Sequence, residues 1–187
     1  MTSRTEFRFS GEGGQGLILA GKILAEAAAI HEDRNAVQSQ SYGPEARGGA
    51  SKSDVVISDG DIDDIKADHL DLLLAFTQES LESYLKDLKP GGWLLVDADH
   101  VTHVPEEGRY RVARIRFDGM AREKFGRPIV ANIIALGAIA RLSKVVSEES
   151  LEKAVLARVP RGTEEMNRNA FRAGLEAAGA VTVAAAP

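Results

Sequence analysis

Residues Phe7 to Lys22 set a short alternating segment, four glycines and an apolar, helix-patterned stretch in immediate succession. The glycines Gly11, Gly13, Gly14 and Gly16 fall within six residues. A strand that turns this tightly into a helix is the opening unit of a layered α/β fold. It also brings backbone N–H groups and the positive end of a helix dipole to one point, which suits a phosphate or another anion.

The rest of the chain continues the alternation. Glu6 to Ser10 reads as the first strand and Gln15 to Ile30 as the first helix, with Leu17, Ile18, Leu24, Ala25 and Ala28 on one side. Asn35 to Gln40 and Ser51 to Ser58 read as strands joined by a loop without a crossover helix, so the pair should be antiparallel. Leu70 to Phe76 and Trp93 to Val96 are nearly continuous apolar runs, the pattern of strands buried on both faces. Glu79 to Leu88 reads as a helix stopped by Lys89-Pro90-Gly91-Gly92, and Tyr110 to Phe117 as an edge strand. From Gly119 the chain is helical. Ile129 to Leu142 is the most apolar helix and a candidate for core or inter-subunit packing; Glu148 to Val159 and Glu164 to Ala178 follow. The expectation is a three-layer α/β/α fold with a mixed, mainly parallel sheet and a helical C-terminal third. Residues 1–180 form one domain and 181–187 a tail in this reading.

Several ligands fit the glycine turn poorly. Gly11, Gly13 and Gly16 satisfy G-x-G-x-x-G, but a dinucleotide site wants an acid ending the second strand, and Asn35-Ala36-Val37-Gln38 ends without one. Gly16 to Lys22 has the spacing of a Walker loop, yet Ile23 stands where magnesium needs a hydroxyl, so Lys22 reads as a solvated helix residue. Leu88 to Val96 resembles a late segment of S-adenosylmethionine methyltransferases, which keeps a methyltransferase-like domain as an alternative; the acid is again missing, and the chain ends in helices. A turn required by packing alone is the structural alternative for the whole motif.

With no cysteine in 187 residues, this chain cannot supply thiolate ligands to zinc or iron–sulfur clusters, nor a cysteine nucleophile. The net charge of -5 argues against a nucleic-acid partner, and no apolar run is long enough to span a bilayer. The expected setting is the cytoplasm. His100 and His103 lie near Asp97 and Asp99, where a polar loop is the simpler reading than a metal site. The segment Gln38 to Lys52 holds Tyr42, Arg47, Gly48 and Gly49 with almost no aliphatic bulk, as surface binding loops do. Arg47 could pair with a phosphate or carboxylate.

Gly11-Glu12-Gly13-Gly14-Gln15-Gly16, then Gln40 to Gly49 (QSYGPEARGG), then Asp54-Val55-Val56-Ile57-Ser58, together resemble the gamma subunit of 2-oxoacid:ferredoxin oxidoreductases, within the pyruvate/ketoisovalerate oxidoreductase catalytic-domain family. The 2-oxoglutarate branch is the nearest. The likeness extends to Asn132 and to Asn169-Ala170-Phe171. The resemblance implies a complex that decarboxylates a 2-oxoacid on thiamine diphosphate, passes electrons through iron–sulfur clusters to ferredoxin and transfers the acyl group to coenzyme A. Thiamine diphosphate, magnesium and clusters would sit on alpha, beta and delta-type partner subunits, and this chain would hold no cofactor and no catalytic residue. It further implies that Gly11, Gly13, Gly14, Gln15 and Gly16 lie near coenzyme A, with Tyr42, Arg47, Gly48 and Gly49 close to the ligand or to a partner subunit. Gln15 stands where the single-chain relatives carry an acid, so hydrogen bonding is kept and the charge is not. A gamma subunit that binds no ligand and only assembles a pyruvate or branched-chain 2-oxoacid:ferredoxin oxidoreductase is the other reading.

Overall fold

The computed structural model describes residues 3–42, 50–105 and 107–181. Six strands form one sheet: β1 (Arg4–Glu12), β2 (Asn35–Tyr42), β3 (Ala50–Ser58), β4 (Leu70–Ala75), β5 (Leu88–Asp97) and β6 (Arg111–Ile115). Their order is β2-β3-β1-β4-β5-β6. β3 runs antiparallel to both β1 and β2, as the missing crossover helix requires, while β1, β4, β5 and β6 pair parallel. The expected mixed, mainly parallel sheet is present.

Alternation along β1 decides what lies on each face. Phe7 and Phe9 point into the larger core, which is built with α1 (Leu17–His31), α3 (Phe117–Phe125), α4 (Ala131–Ser143), α5 (Glu148–Arg158) and α6 (Glu164–Gly179). Glu6, Arg8 and Ser10 fall between them in sequence and point to the other face. That face carries a thinner layer: α2 (Gln78–Tyr84), the 3-10 turn Leu85–Asp87, and apolar residues such as Ala67, Val101 and Val104.

In α4, every residue from Ala131 to Ala140 is buried, as an all-round apolar helix demands. The helix is therefore core, taken up by its own chain. It meets α6 at backbone distance. A Cβ on Gly137 would lie 2.0 Å from the Phe171 carbonyl oxygen, and one on Gly174 would lie 1.9 Å from that of Ile134. Only residues without side chains permit this approach.

Two expectations change. The helix after β4 ends at Tyr84, and Lys89 to Gly92 is not a stop-and-turn; it forms the first half of β5, with a register break between Leu70 and Leu72 on β4. The break absorbs Pro90 and the left-handed Gly91 (φ 75°) at the start of the strand. The last strand is shorter than read, covering Arg111–Ile115, because Phe117 already opens α3.

Candidate functional site

β1 leads through α1 to β2 on the thick side of the sheet, whereas β4 leads through α2 to β5 on the thin side. The two connections diverge between the neighbouring strands β1 and β4. The crevice at such a divergence, outside the carboxyl ends of the strands, is where open α/β sheets bind ligands. A cleft of about 440 Å³ lies there, lined by Glu12, Gly14, Gln15, Phe76, Asp97, His100, Asp118, Arg122, Pro128, Ile129 and Ala131.

The glycine turn forms one wall, and its glycines divide by role. Gly11 is inside β1, opposite Ser51; a Cβ there would meet Gln15 Oε1 at 2.2 Å and Leu17 Cδ1 at 2.9 Å. Gly16 is the N-cap of α1 in the left-handed region (φ 73°), and a Cβ there would meet Asn132 Nδ2 at 2.4 Å. Asn132 is buried and donates from Nδ2 to the Gly16 carbonyl at 3.0 Å, tying the turn to α4. These two glycines are required by packing. Gly13 and Gly14 are exposed, and a Cβ on either would meet nothing within 4 Å. A side chain at either position would extend into open space.

Gln15 folds back on its own turn, with Oε1 accepting from the Glu12 N–H at 2.7 Å. This neutral side chain performs a structural bond that a carboxylate could also accept. The first turn of α1 has no side-chain cap and no acid, so the helix presents uncapped N–H groups beside the cleft.

The opposite wall comes from the end of β5 and from α3. Asp97 is fully buried; its Oδ1 accepts from Asp99 N–H at 3.1 Å and its Oδ2 from Asp118 N–H at 3.0 Å. Burial pushes its pKa above the ordinary carboxylate value, against the pull of those two N–H groups. Asp118 Oδ2 meets His100 Nε2 at 3.1 Å and accepts from Arg122 Nε at 2.9 Å. Burial alone would raise the Asp118 pKa, but Arg122 and His100 outweigh it and hold the carboxyl below its ordinary value. Phe76 and Phe117 stack with centroids 5.6 Å apart beneath this wall.

The arrangement sets an exposed glycine turn and the uncapped start of α1 across a crevice from a His–Asp–Arg cluster. No group of three His, Cys, Asp or Glu side chains among the described residues could hold a metal ion. His103 contributes its main chain, donating to Gln78 Oε1 at 3.2 Å and accepting from Gln78 Nε2 at 2.9 Å.

Of the residues expected near a ligand, Gly14 and Gln15 line the cleft, Gly13 is exposed beside it, and Gly11 and Gly16 are held in packing. Tyr42 ends β2; Arg47, Gly48 and Gly49 lie outside the described residues. The sequence reading missed Asp118 and Arg122. Both stand on α3, and nothing local links them to His100, 18 residues earlier for Asp118.

Comparison with known proteins finds one family. Residues 6–177 match the family profile described as pyruvate ferredoxin/flavodoxin oxidoreductase. The chain is 53% identical over 176 residues to the 2-oxoglutarate synthase subunit KorC of Methanocaldococcus jannaschii, covering 94% of each. Among solved structures it is similar to the keto/oxoacid ferredoxin oxidoreductase gamma subunit of Geobacter sulfurreducens, with 56% identity, a TM-score of 0.88, and 95% and 98% of the two chains covered. It is also similar to part of the Magnetococcus marinus 2-oxoglutarate:ferredoxin oxidoreductase, solved with 2-oxoglutarate, coenzyme A and succinyl-CoA bound. There the identity is 25% and the TM-score 0.84, over 97% of this chain and 32% of that one.

Proposed function

The chain belongs to the pyruvate ferredoxin/flavodoxin oxidoreductase family, and on that premise we propose that it is the gamma subunit of a 2-oxoglutarate:ferredoxin oxidoreductase. The reaction would be 2-oxoglutarate, coenzyme A and oxidised ferredoxin to succinyl-CoA, carbon dioxide and reduced ferredoxin. The observation that carries this reading is the end-to-end likeness to a 2-oxoglutarate synthase subunit, 94% of each chain at 53% identity. In this reading residues 1–180 act as one unit, in the cytoplasm, assembled with alpha, beta and delta-type subunits. The donor set supports that division: a chain without cysteine offers no thiolate to an iron–sulfur cluster, so the redox centres would sit on its partners.

The part played by this chain is to shape the entrance for coenzyme A. Gly13 and Gly14 leave the turn exposed and uncrowded, Gln15 braces it, and the uncapped start of α1 favours a phosphate. Tyr42, Arg47, Gly48 and Gly49 would complete the wall or contact a partner subunit. Thiamine diphosphate, bound by partners, would supply the decarboxylation chemistry.

The test uses the whole complex. Replacing Gly16 is a poor probe, because any side chain there strikes Asn132. Gly13→Glu adds a carboxylate into open space. It should raise the KM for coenzyme A about tenfold or more while coenzyme-independent decarboxylation of 2-oxoglutarate stays unchanged. Unchanged coenzyme A kinetics would remove the site from this turn. A complex that turns over pyruvate and not 2-oxoglutarate would remove the substrate assignment.

A further inference from the structure

The β5–α3 wall of the cleft sorts its charges by depth. Asp97 is wholly buried, and its two oxygens are taken by the main-chain N–H groups of Asp99 and Asp118. The Asp118 side chain is 19% exposed and spends one oxygen on its own neighbours, since Oδ2 meets both His100 Nε2 and Arg122 Nε. The cations lie outside the acids: the Arg122 side chain is 62% exposed and that of His100 46%. Arg122 follows Asp118 by four residues on α3, so the two stack on one helix face. Only its Nε is tied to the carboxylate; among the described residues no acceptor reaches Nη1 or Nη2. The guanidinium is thus anchored at one edge and free at the edge that can grip two oxygens of one anion.

We propose that Arg122 receives a phosphate group of coenzyme A, so that this chain holds the phosphate end of the coenzyme while the thiol end leads out to a partner subunit. The inference rests on the coenzyme A reading above and says which end of the molecule the cleft takes. The two walls together favour a phosphate over a carboxylate. A carboxylate has two oxygens and one charge, which the free edge of Arg122 alone would satisfy. A phosphate ester has three outer oxygens and about two charges. That is enough for Arg122 on one wall and for the uncapped start of α1 beside the other. The thiol-bearing arm of coenzyme A is uncharged and gives an arginine nothing to pair with. Glu12 opposes the arrangement: its carboxylate lines the glycine side of the cleft with no ion pair among the described residues.

Steady-state kinetics of the assembled complex test it. Arg122→Gln should raise the KM for coenzyme A about tenfold or more while the KM for 2-oxoglutarate holds. Arg122→Lys keeps the charge without the fork and should fall between that variant and the wild type. Lys124→Gln, exposed on the same helix and outside the cleft, makes the same change in net charge and should leave the KM for coenzyme A as it was. Glu12→Gln should lower it. Pantetheine, the thiol-bearing arm without the phosphates, should react with equal kcat/KM in wild type and Arg122→Gln. Equal losses with pantetheine and coenzyme A, an equal effect of Lys124→Gln, or a rise in the KM for 2-oxoglutarate in place of that for coenzyme A would each overturn the proposal. So would an Arg122→Gln chain that fails to join its partner subunits, since the arginine would then be a subunit contact. An unchanged KM for coenzyme A in Arg122→Gln would overturn it as well. If Gly13→Glu still raises that KM, the coenzyme A entrance stays on this chain and only the phosphate contact is lost; if neither variant moves it, both readings fall.

Discussion

The two faces of the sheet are held by opposite means. On the thick side, apolar helices close to contact distance, and α4 and α6 meet where Gly137 and Gly174 admit each other's backbone. On the thin side, Arg8 lies buried under α2. It donates from Nε to Asp54 Oδ1 at 2.7 Å, from Nη2 to Asp54 Oδ2 at 2.9 Å and to the Ala67 carbonyl at 2.8 Å, and from Nη1 to Asp87. Tyr84 caps it, with the ring centroid 5.0 Å from the guanidinium carbon. Burial opposes the charge, yet Asp54 and Asp87 outweigh it and hold the Arg8 pKa above the ordinary arginine value. One face tolerates no added atom; the other tolerates no missing partner.

The largest expected effect breaks the polar face. Arg8→Met leaves buried Asp54 with only the longer Lys52 contact, at 3.5 Å, and should cost about 3–5 kcal/mol in urea unfolding. The double variant Arg8→Met/Asp54→Leu removes both charges and should recover most of that loss. A double variant as unstable as the single one would show that shape, not charge balance, governs this face.

On the apolar face, Gly174→Ala pushes a methyl into the Ile134 carbonyl and should cost about 1–3 kcal/mol, although alanine favours a helix. Gly179→Ala, on the same helix with its nearest neighbour 4.0 Å away, should change stability by less than about 0.5 kcal/mol. Equal effects would deny that close approach is what the α4–α6 seam needs.

The smallest effects concern pH. The raised pKa of buried Asp97 means that the folded state holds its proton more tightly, so its contribution is largest below the unfolded value of 3.8 and is lost as pH rises above it. Asp118 has the opposite sign: its lowered pKa gives stability that is present above 3.8 and lost as pH falls below it. Relative to wild type, Asp97→Asn should therefore become more destabilising as the solution is acidified, and Asp118→Asn less so. Parallel curves would contradict the contrast between these neighbours.

Periodicity carried most of the fold into view, because buried runs such as Leu70 to Ala75 and amphipathic α6 declare their packing locally. Lys89 to Gly92 misled, since proline and paired glycines signal a turn unless a register break on the next strand accommodates them. The glycine turn was legible as a strand-to-helix turn but not as two kinds of glycine; a sequence does not say that Gly11 and Gly16 are hemmed in while Gly13 and Gly14 are open. The Arg8 network was invisible for the same reason. Asp54 and Asp87 lie 46 and 79 residues away, and only the pleat of the sheet and the return of α2 bring them together.

The bond from Asn132 to Gly16 has a mechanical consequence. It bolts the glycine bend to a helix buried on every side, so the bend is held by the core rather than by its own few contacts. On the proposed reading, a ligand at Gly13 or Gly14 would meet a bend already fixed, and any push on it would pass into the helical layer.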